Sequence, residues 1–451
     1  MRSLLQAASV AGCAAVFSCL CVSAQDPSSI ASQPPMGWNS WDAYGLTISE
    51  AEFKANAQWL TKNLKKFGWN LAVVDEGWYL VDPTVKPEQS QFVLSPDGRY
   101  RPSPNRYPSA AGDVGFKALA DSVHALGLQF GIHIIRGIPK EAVAKNLSIA
   151  GSAFHAQEAA DTSDTCPWNT YNYGVKNVPA GQAYYDSIAA LYASWGVDFL
   201  KVDCISSHPY KEDEIRMMSE ALKKTGRPIV LSLSPGPSPL DKAEVLAANS
   251  NMWRISDDVW DHWAHDPKMS FSQSISEQFA VAANWAKYAG PGHWPDADML
   301  PIGFLGPRPG EGQPRNSKLT HDEQRTLMTG WCIFHSPLVL GANLTKMDDW
   351  TKSLVTNPEV LAVNQSSSEQ HEAMRDNDVV VWAAKAASGG EYVAVANLSD
   401  VPRQIDYTWA QIGITGAQGS VRDLWQHRNL GKHNSLQISL QPHESVLYRV
   451  N

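Results

Sequence analysis

Short apolar segments that end in polar residues recur along much of the chain and predict buried parallel strands. The predicted strands cover residues 70–74, 129–134, 199–204, 228–232 and 252–255. Helices are predicted between them, over residues 50–67, 114–126, 183–195 and 212–225. Strands that alternate with helices indicate βαβ units. The pattern therefore predicts an α/β fold, a (β/α)8 TIM barrel over residues 25–363, with long loops at the carboxyl ends of its strands.

The pattern changes near Asn364, beyond which the sequence predicts antiparallel strands. They cover residues 379–384, 391–397, 420–425, 436–440 and 445–450, separated by turn residues such as Ser388-Gly389-Gly390. No cluster of titratable residues collects in this region. We therefore expect residues 364–451 to form a small C-terminal antiparallel β-sandwich with a structural role.

The first 24 residues have the features of a secretory leader. Met1-Arg2 is basic, residues 4–21 are mostly apolar, and Val22-Ser23-Ala24 is a small-residue cleavage site. We expect cleavage after Ala24 and a secreted or periplasmic protein. No later stretch is long and apolar enough to span a membrane, so we expect no membrane association after leader cleavage.

Charge and composition narrow the range of partners. The formal net charge is −9 and basic residues form no run, so neither nucleic acid nor an anionic membrane is an expected partner. The 17 tryptophans suit carbohydrate binding because apolar sugar faces stack on indole rings, although most of them should fill a large core. The oligomeric state stays open.

The cysteines predict one disulfide. Three of the six lie in the leader, which leaves Cys166, Cys204 and Cys332 in the mature chain. An odd number in an oxidising compartment indicates one bridge and one buried thiol. Cys332 lies in the apolar segment 330–334, which favours the buried thiol. Cys166 and Cys204 are then the expected pair, and their bridge would join a loop to the end of the strand at 199–204.

That strand ends in charged residues. Side chains alternate along a strand, so Lys201 and Asp203 point to the same side. Two charges at the end of a buried strand are costly unless something uses them. A structural ion pair is one interpretation. The other is an active site, because a barrel builds its active site at these strand ends.

Other polar residues follow the remaining predicted strands, and together they predict a site for a ligand rich in hydroxyl groups. The candidate residues are Trp38, Asp75, Glu76, His133, Lys201, Asp203, Ser234, Arg254 and Asp258. Carboxylates accept hydrogen bonds from sugar diols, lysine and arginine donate to the hydroxyls on the sugar ring, and tryptophan offers a flat face for stacking. Two carboxylates are also what glycoside hydrolysis requires, one as nucleophile and one as acid/base.

No cofactor is expected, because no phosphate-binding glycine loop accompanies these residues. Four acidic and histidine residues close together in the sequence suggest a metal site, but helical spacing would spread them over different faces. We therefore expect no metal there. The four residues are Asp258, Asp261, His262 and His265.

Six ordered motifs between Pro34 and the C-terminus resemble glycoside hydrolase family 27, which includes α-galactosidases, α-N-acetylgalactosaminidases and β-L-arabinopyranosidases. They are Pro35-Met36-Gly37-Trp38-Asn39-Ser40-Trp41, Asp75-Glu76-Gly77-Trp78, Leu200-Lys201-Val202-Asp203-Cys204, Trp253-Arg254-Ile255-Ser256-Asp257-Asp258, the segment 291–300, and Ser336-Pro337-Leu338. The family's fold, a (β/α)8 barrel followed by an antiparallel β domain, agrees with the pattern above.

The resemblance implies a role for each candidate. Asp203 resembles the nucleophile of a retaining double displacement, and Asp258 the acid/base, with Asp257 as a bystander. The remaining residues resemble sugar ligands: Trp38 would line the pocket, Lys201 and Arg254 would bind ring hydroxyls, and Asp75 with Glu76 would hold the 4- and 6-hydroxyls of galactose. Cys166 and Cys204 fall where the family has a disulfide.

Three departures bear on the substrate. Glu76 replaces the second Asp of the sugar-binding pair, His133 stands where a Tyr is usual, and Ser234 stands where α-galactosidases often have Glu. The first expectation is a secreted α-galactosidase acting on terminal α-D-galactose of an oligosaccharide, polysaccharide or glycoconjugate. The longer Glu76 would intrude at C6, so a β-L-arabinopyranosidase is the alternative. An α-N-acetylgalactosaminidase or an inactive sugar-binding protein is a further alternative.

Overall fold

The structure is a computed structural model that describes residues 30–265, 267, 272–306, 312–414 and 419–451. The predicted leader, residues 1–24, lies outside the described residues. Among the described residues, no helix is both long enough and apolar enough to cross a membrane.

Eight parallel strands form one curled sheet in the order β7-β6-β5-β4-β3-β2-β1-β8. They are β1 Met36–Asn39, β2 Leu71–Val74, β3 Gln129–Ile135, β4 Phe199–Asp203, β5 Val230–Leu233, β6 Met252–Arg254, β7 Trp294–Asp296 and β8 Leu338–Leu340. Just beyond β7, the amide of Leu300 donates to the carbonyl of Val339 over 2.8 Å, which joins the two ends of the sheet. The predicted barrel is confirmed.

A helix follows each strand and covers the outside of the barrel. The helices are α1 Glu50–Asn63, α2 Lys117–Ala125, α3 Pro179–Trp195, α4 Glu212–Lys224, α5 Ala243–Asn249, α6 Ile275–Trp285, α7 His321–Phe334 and α8 Asp349–Val355. Helix α1 illustrates how the local sequence specifies where a helix begins and which face is buried. Ser49 and Glu52 form a capping box at its start, and Phe53, Ala57 and Leu60 are buried on one face, as their spacing predicts.

After a last helix, α9 Pro358–Gln365, the chain enters the antiparallel region. Its strands are β9 Ser367–Asp376, β10 Val379–Ala386, β11 Glu391–Asn397, β12 Arg403–Thr408, β13 Gly419–Asp423, β14 Arg428–His433, β15 Ser435–Leu440 and β16 Ser445–Val450. A six-stranded sheet, β9-β10-β11-β16-β13-β14, faces the pair β12-β15. Valines 379, 381, 393 and 395 pack against Ile405 between these layers. The predicted β-sandwich is confirmed, and the bounds drawn between the two domains stay a prediction.

The disulfide joins Cys166 and Cys204, and Cys332 is a buried free thiol, both as predicted. Cys204 is the residue directly after β4. The bridge therefore attaches the loop of residues 166–171, here called the Trp168 loop, to the carboxyl end of this strand.

Candidate active site

A cavity of about 470 Å³ lies at the carboxyl ends of the barrel strands. Eight of the nine candidate residues line it: Asp75, Glu76, His133, Lys201, Asp203, Ser234, Arg254 and Asp258. They come from β2, β3, β4, β5 and β6 or from the residues that follow these strands. The parallel arrangement brings side chains together that are up to 183 positions apart in the sequence, from Asp75 to Asp258.

Trp38 is the exception, and the prediction that it lines the pocket is wrong. Its side chain is fully buried, packs 5.5 Å from the ring of Phe53 on α1, and donates its indole N–H to the carbonyl of Ala342 over 2.7 Å. Side chains alternate along β1, so Asn39 points into the barrel and Trp38 points out. Trp41, in the short helix Trp41–Tyr44 after β1, lines the cavity.

Asp203 lies among groups that favour its ionised form. The Ser234 hydroxyl donates to its Oδ1 over 3.0 Å, and Nε2 of His133 lies 3.8 Å from its Oδ2. Burial alone would raise the pKa of Asp203, but His133, Lys201 and the amide of Cys204 outweigh it and hold the pKa below its ordinary value. Asp203 is therefore a carboxylate at neutral pH.

Lys201 is paired with Asp75, although it shares a strand face with Asp203. Its Nζ lies 3.1 Å from Oδ2 of Asp75, which also accepts from Nδ2 of Asn39 over 2.6 Å. Burial would raise the pKa of Asp75, but the positive charges of His133 and Lys201 lower it to about 2. The ion pair of Lys201 therefore forms with Asp75 across two strands, instead of with Asp203 on the same strand as the sequence suggested, and all three residues line the cavity.

Asp258 has the opposite tendency to Asp203. Burial raises its pKa above the ordinary value, Arg254 opposes this, and the negative charge of Asp203 reinforces it. Arg254 contacts two carboxylates, Oδ1 of Asp258 at 3.1 Å and Oδ1 of Asp298 at 2.9 Å. The side chain of Asp258 is 37% exposed, against 15% for Asp203. Asp258 therefore keeps its proton to a higher pH than Asp203 does, and it lies nearer solvent.

Glu76 is held by a residue that the sequence did not single out. Nδ2 of Asn169, in the Trp168 loop, donates to Oε1 of Glu76 over 2.7 Å. Burial raises the pKa of Glu76 to about 7, with His133 lowering it and Asp203 and Asp75 raising it. Glu76 therefore titrates near neutral pH beside the candidate nucleophile.

Aromatic and apolar side chains also line the cavity. Its lining includes Pro87, Trp168, Tyr171, Trp260 and Met299. Trp168 is 42% exposed, so it lies where the cavity opens to solvent.

One group of possible metal ligands lies in the cavity. Among the described residues, Glu76, His133 and Asp203 are the set whose ligand atoms all lie within 4.8 Å of one another. Each of the four residues that the sequence suggested has another contact: Asp258 binds Arg254, Asp261 binds Arg315, His262 contacts Ser272, and His265 faces Glu277. That the reaction needs no metal stays a prediction.

Two carboxyl groups whose pKa values are shifted in opposite directions, in a cavity lined by hydroxyl-binding groups on a (β/α)8 barrel, are typical of a glycoside hydrolase. The family models for alpha galactosidase A and for the alpha galactosidase C-terminal beta sandwich domain match residues 170–366 and 376–450. A β-L-arabinopyranosidase of glycoside hydrolase family 27 from Geobacillus stearothermophilus is 44% identical, with a TM-score of 0.90 over 94% of this chain and 98% of that chain. This chain belongs to glycoside hydrolase family 27.

Alpha-galactosidases are more distant relatives. The enzyme from Oryza sativa subsp. japonica is 28% identical over 92% of this chain and 84% of its own length. The structure of alpha-galactosidase I from Mortierella vinacea is 26% identical, with a TM-score of 0.73 over 94% of this chain and 98% of that chain. The protein is therefore a hydrolase whose substrate is a carbohydrate.

Proposed function

We propose that this enzyme removes terminal β-L-arabinopyranose residues from a glycoside with retention of configuration. The observation that carries the proposal is the position of Glu76, which lines the cavity beside the candidate nucleophile and is held there by Asn169. From the sequence alone, α-D-galactose was the first expectation and β-L-arabinopyranose the alternative. The Asn169 contact and the 44% identical arabinopyranosidase favour the reverse order.

The length of the Glu76 side chain limits the room for C6 of the sugar. β-L-Arabinopyranose has the ring hydroxyl arrangement of α-D-galactose but lacks C6 and its hydroxyl. Glu76 is one methylene longer than the Asp that the family usually has, and its carboxylate would intrude where C6 lies. Because Asn169 donates to Oε1, the side chain cannot turn aside without losing a hydrogen bond. A relative of this chain, a variant of the Geobacillus enzyme, was solved in complex with arabinose.

In the first step, the ionised Oδ of Asp203 attacks the anomeric carbon while Asp258 transfers its proton to the leaving glycosidic oxygen. The bond from the anomeric carbon to this oxygen breaks as the bond to Asp203 forms, which leaves a covalent glycosyl-enzyme. The pKa directions of the two carboxyl groups support these roles, since Asp203 is lowered and Asp258 is raised.

In the second step, Asp258 is a carboxylate and takes a proton from water, whose oxygen attacks the same carbon. The ester bond to Asp203 breaks, the sugar leaves with its original configuration, and both carboxyl groups return to their starting states. Arg254 keeps Asp258 in place through both steps, because its Nη2 contacts Oδ1 of Asp258 at 3.1 Å.

α-D-Galactosidase activity is the second candidate. The observation in its favour is that relatives from Oryza sativa and Arabidopsis thaliana, 28% and 29% identical, are alpha-galactosidases. α-N-Acetylgalactosaminidase activity ranks below it. Ser234 is small enough to leave room for a 2-substituent, but its hydroxyl is already bonded to Asp203.

The test compares kcat/KM on the 4-nitrophenyl glycosides of β-L-arabinopyranose and α-D-galactose. We expect the arabinoside to be preferred, and we expect Glu76→Asp to raise the galactoside-to-arabinoside ratio about tenfold, because one methylene is worth about 1–3 kcal/mol in a pocket. Asp203→Ala should abolish turnover of both. Glu244→Asp, on the exposed face of α5, is the control for the same change outside the cavity.

A wild-type preference for the galactoside would support the second candidate. An unchanged ratio in Glu76→Asp would show that Glu76 does not set the preference. Turnover of neither glycoside would contradict both assignments and direct attention to Ser234 and a 2-substituted sugar.

We also propose that the protein is exported, on the basis of the leader in residues 1–24. N-terminal sequencing of the secreted or periplasmic protein should begin at Gln25. Recovery of the protein in the cytoplasm with Met1 retained would contradict export.

A further inference from the structure

Arg136 is a buried arginine that lies behind the candidate nucleophile. It follows β3 directly, its side chain is 1% exposed, and it is not part of the cavity lining. Its amide donates to the carbonyl of Asp203 over 3.1 Å, and its Nε donates to the carbonyl of Cys204 over 2.5 Å. Arg136 therefore binds two consecutive peptide units at the point where the chain leaves the nucleophile.

The residue between these two peptide units has a strained backbone. Cys204 has a φ of 61°, in the left-handed region that residues with a Cβ rarely adopt. Its φ and ψ are the torsions that relate the two peptide units, so contacts to both carbonyls fix these torsions. Such strain persists only where the surrounding structure enforces it, and it is common at functional sites. Arg136 provides a contact on each side of this residue.

The conformation of Cys204 also determines where its amide points. This amide forms a hydrogen bond to the carboxylate of Asp203, which Ser234 and His133 approach from β5 and β3. The amide belongs to the peptide unit whose carbonyl accepts from Arg136. A rotation of this peptide unit would therefore withdraw a hydrogen-bond donor from the nucleophile and change the direction of its side chain.

The guanidinium is held in place by two carboxylates outside the cavity lining. Nη1 and Nη2 donate to the two oxygens of Asp164 over 2.9 and 3.0 Å, and Nη1 also donates to Oε1 of Glu214 on α4 over 2.8 Å. Asp164 precedes Cys166 by two residues, and the Tyr185 hydroxyl on α3 donates to Oε2 of Glu214. Movement of the guanidinium away from Cys204 would break several charged hydrogen bonds.

We propose that Arg136 is a positioning residue for the nucleophile, because it fixes the peptide units on both sides of Cys204 and, through them, the direction of the Asp203 carboxylate. The other interpretation is an ionic network with a structural role alone. Such a network needs only the contacts with Asp164 and Glu214, whereas Nε donates to the chain beside the nucleophile. The inference rests on the proposed function, in which Asp203 attacks the anomeric carbon.

Arg136→Lys tests the inference. Lysine keeps a positive charge opposite Asp164 and Glu214, but its single nitrogen cannot replace the three nitrogens of the guanidinium. We expect kcat/KM on the 4-nitrophenyl glycoside that the wild-type enzyme prefers to fall about ten- to hundredfold, because a displaced nucleophile slows the formation of the glycosyl-enzyme. The inhibition constant of the free sugar should stay at its wild-type value, because Arg136 lies outside the cavity that binds it.

Arg227→Lys is the matched control, because Arg227 binds the backbone at the other end of the same strand. Its Nε donates to the carbonyl of Val197 over 2.7 Å, and its Nη2 donates to Asp198, the residue directly before β4. The same substitution is therefore made in an arginine that binds both a carbonyl and a carboxylate. We expect wild-type values of kcat/KM and of the inhibition constant.

A second pair of variants tests the inference if circular dichroism shows that Arg136→Lys does not fold. Glu214→Gln leaves the contact between Arg136 and Cys204 in place. Arg136→Gln combined with Glu214→Gln removes a buried cation and a buried anion together, and Asp164 keeps its contact with Lys211 at 2.8 Å. We expect a lower kcat/KM in the double variant than in Glu214→Gln. Failure of both Arg136 variants to fold would assign the residue to the fold and overturn the inference.

The remaining outcomes separate this inference from the proposed function. Wild-type kcat/KM in folded Arg136→Lys would show that the network is structural and would leave the proposed function intact. Equal losses of kcat/KM and of affinity for the free sugar would indicate that the whole cavity is deformed, and an equal loss in Arg227→Lys would deny Arg136 a particular role. If the wild-type enzyme hydrolyses neither the arabinoside nor the galactoside, the proposed function fails, and this inference fails with it.

Discussion

His133 lies on β3 and is surrounded by charged groups that come from the two neighbouring strands. Asp75 and Glu76 follow β2, and Lys201 and Asp203 lie on β4 beside it. Burial lowers the pKa of His133, but Asp75 and Asp203 raise it by more, so the pKa lies above its ordinary value and the positively charged imidazole is favoured. This charge is one of the groups that hold Asp203 in its ionised form.

Replacing His133 by Gln should therefore change the pH dependence of the reaction. Without the cation, the pKa of Asp203 rises, and the nucleophile becomes protonated at a higher pH. We expect the acidic limb of kcat/KM, which reports the free enzyme, to move to higher pH. The pH profile on 4-nitrophenyl β-L-arabinopyranoside measures this shift.

The matched control is His124→Gln. His124 also contacts an aspartate, with Nε2 2.7 Å from Oδ2 of Asp198, but it lies outside the cavity lining. An acidic limb that stays in place in His133→Gln, or moves equally in His124→Gln, would contradict the role given to His133.

The sequence predicted the site residues that lie at strand ends, and it failed where a loop sets the position. Asp203 ends β4, so its strand gives both its place and its direction. Trp38 was misplaced because the outward side of β1 cannot be recognised without its partner helix. Asn169 is 93 residues from Glu76, and no periodicity predicts the path of its loop. Asp298 lies in the segment 291–300, which resembles a family motif, but its position in the cavity depends on a positive φ of 79° that the sequence does not reveal.

At the scale of elements, two loops must approach closely to bring Ser234 and Asp258 into one cavity. Gly236, after β5, lies against the backbone of Ser256, after β6. A Cβ at Gly236 would lie 2.1 Å from the carbonyl oxygen of Ser256 and 2.6 Å from its amide nitrogen. Backbone atoms cannot move aside as a flexible side chain can, so this contact requires glycine.

Gly236→Ala should therefore push these two loops apart. We expect the free energy of unfolding to fall by about 1–3 kcal/mol, as for other overpacked sites. We also expect kcat/KM to fall, because Asp258 follows Ser256 by two residues and small displacements of catalytic groups are costly. Urea unfolding and steady-state kinetics measure the two effects.

Gly290→Ala is the control, because the nearest atom to its added Cβ is Nε2 of His293, a side-chain end at 3.3 Å. Wild-type stability and activity in Gly236→Ala would show that the two loops tolerate separation.

The sequence predicted some strands at their observed bounds and missed others. Strands with continuous apolar residues, such as β11 Glu391–Asn397, were placed at their observed bounds. Three sandwich strands were missed: β9, β12 and β14. Strand β14 is exposed at almost every position and lies at the edge of its sheet, so it has no apolar pattern to detect. Strand β12 pairs only with β15, and most of its residues are polar.

In the whole protein, the C-terminal β-sandwich contacts the barrel beside the loop that carries Asp258. His443, in the turn between β15 and β16, stacks on Trp263 with ring centres 4.4 Å apart. Its Nδ1 lies 2.7 Å from Oε1 of Glu323 on α7, and its carbonyl accepts from the Thr326 hydroxyl over 2.7 Å. The two domains are thus joined next to the loop of residues 258–263, whose Trp260 lines the cavity.

His443→Ala should loosen this junction. We expect the free energy of unfolding to fall by about 1–3 kcal/mol, because Oε1 of Glu323 loses its contact with His443 and the stacking on Trp263 is lost. Urea unfolding measures the change. His433→Ala, on the exposed edge strand β14, should be close to neutral. Equal stability of the two variants would contradict a role for His443 in joining the domains.

The Cys166–Cys204 bond ties the Trp168 loop to the end of β4, so the site depends on the redox state of its surroundings. In a reducing cytosol the bond would not persist. Asn169 would then be less firmly held against Glu76, and Trp168 less firmly held over the cavity mouth. We expect enzyme produced in such a host to discriminate less sharply between terminal sugars with and without C6, because Asn169 no longer fixes Glu76 as firmly.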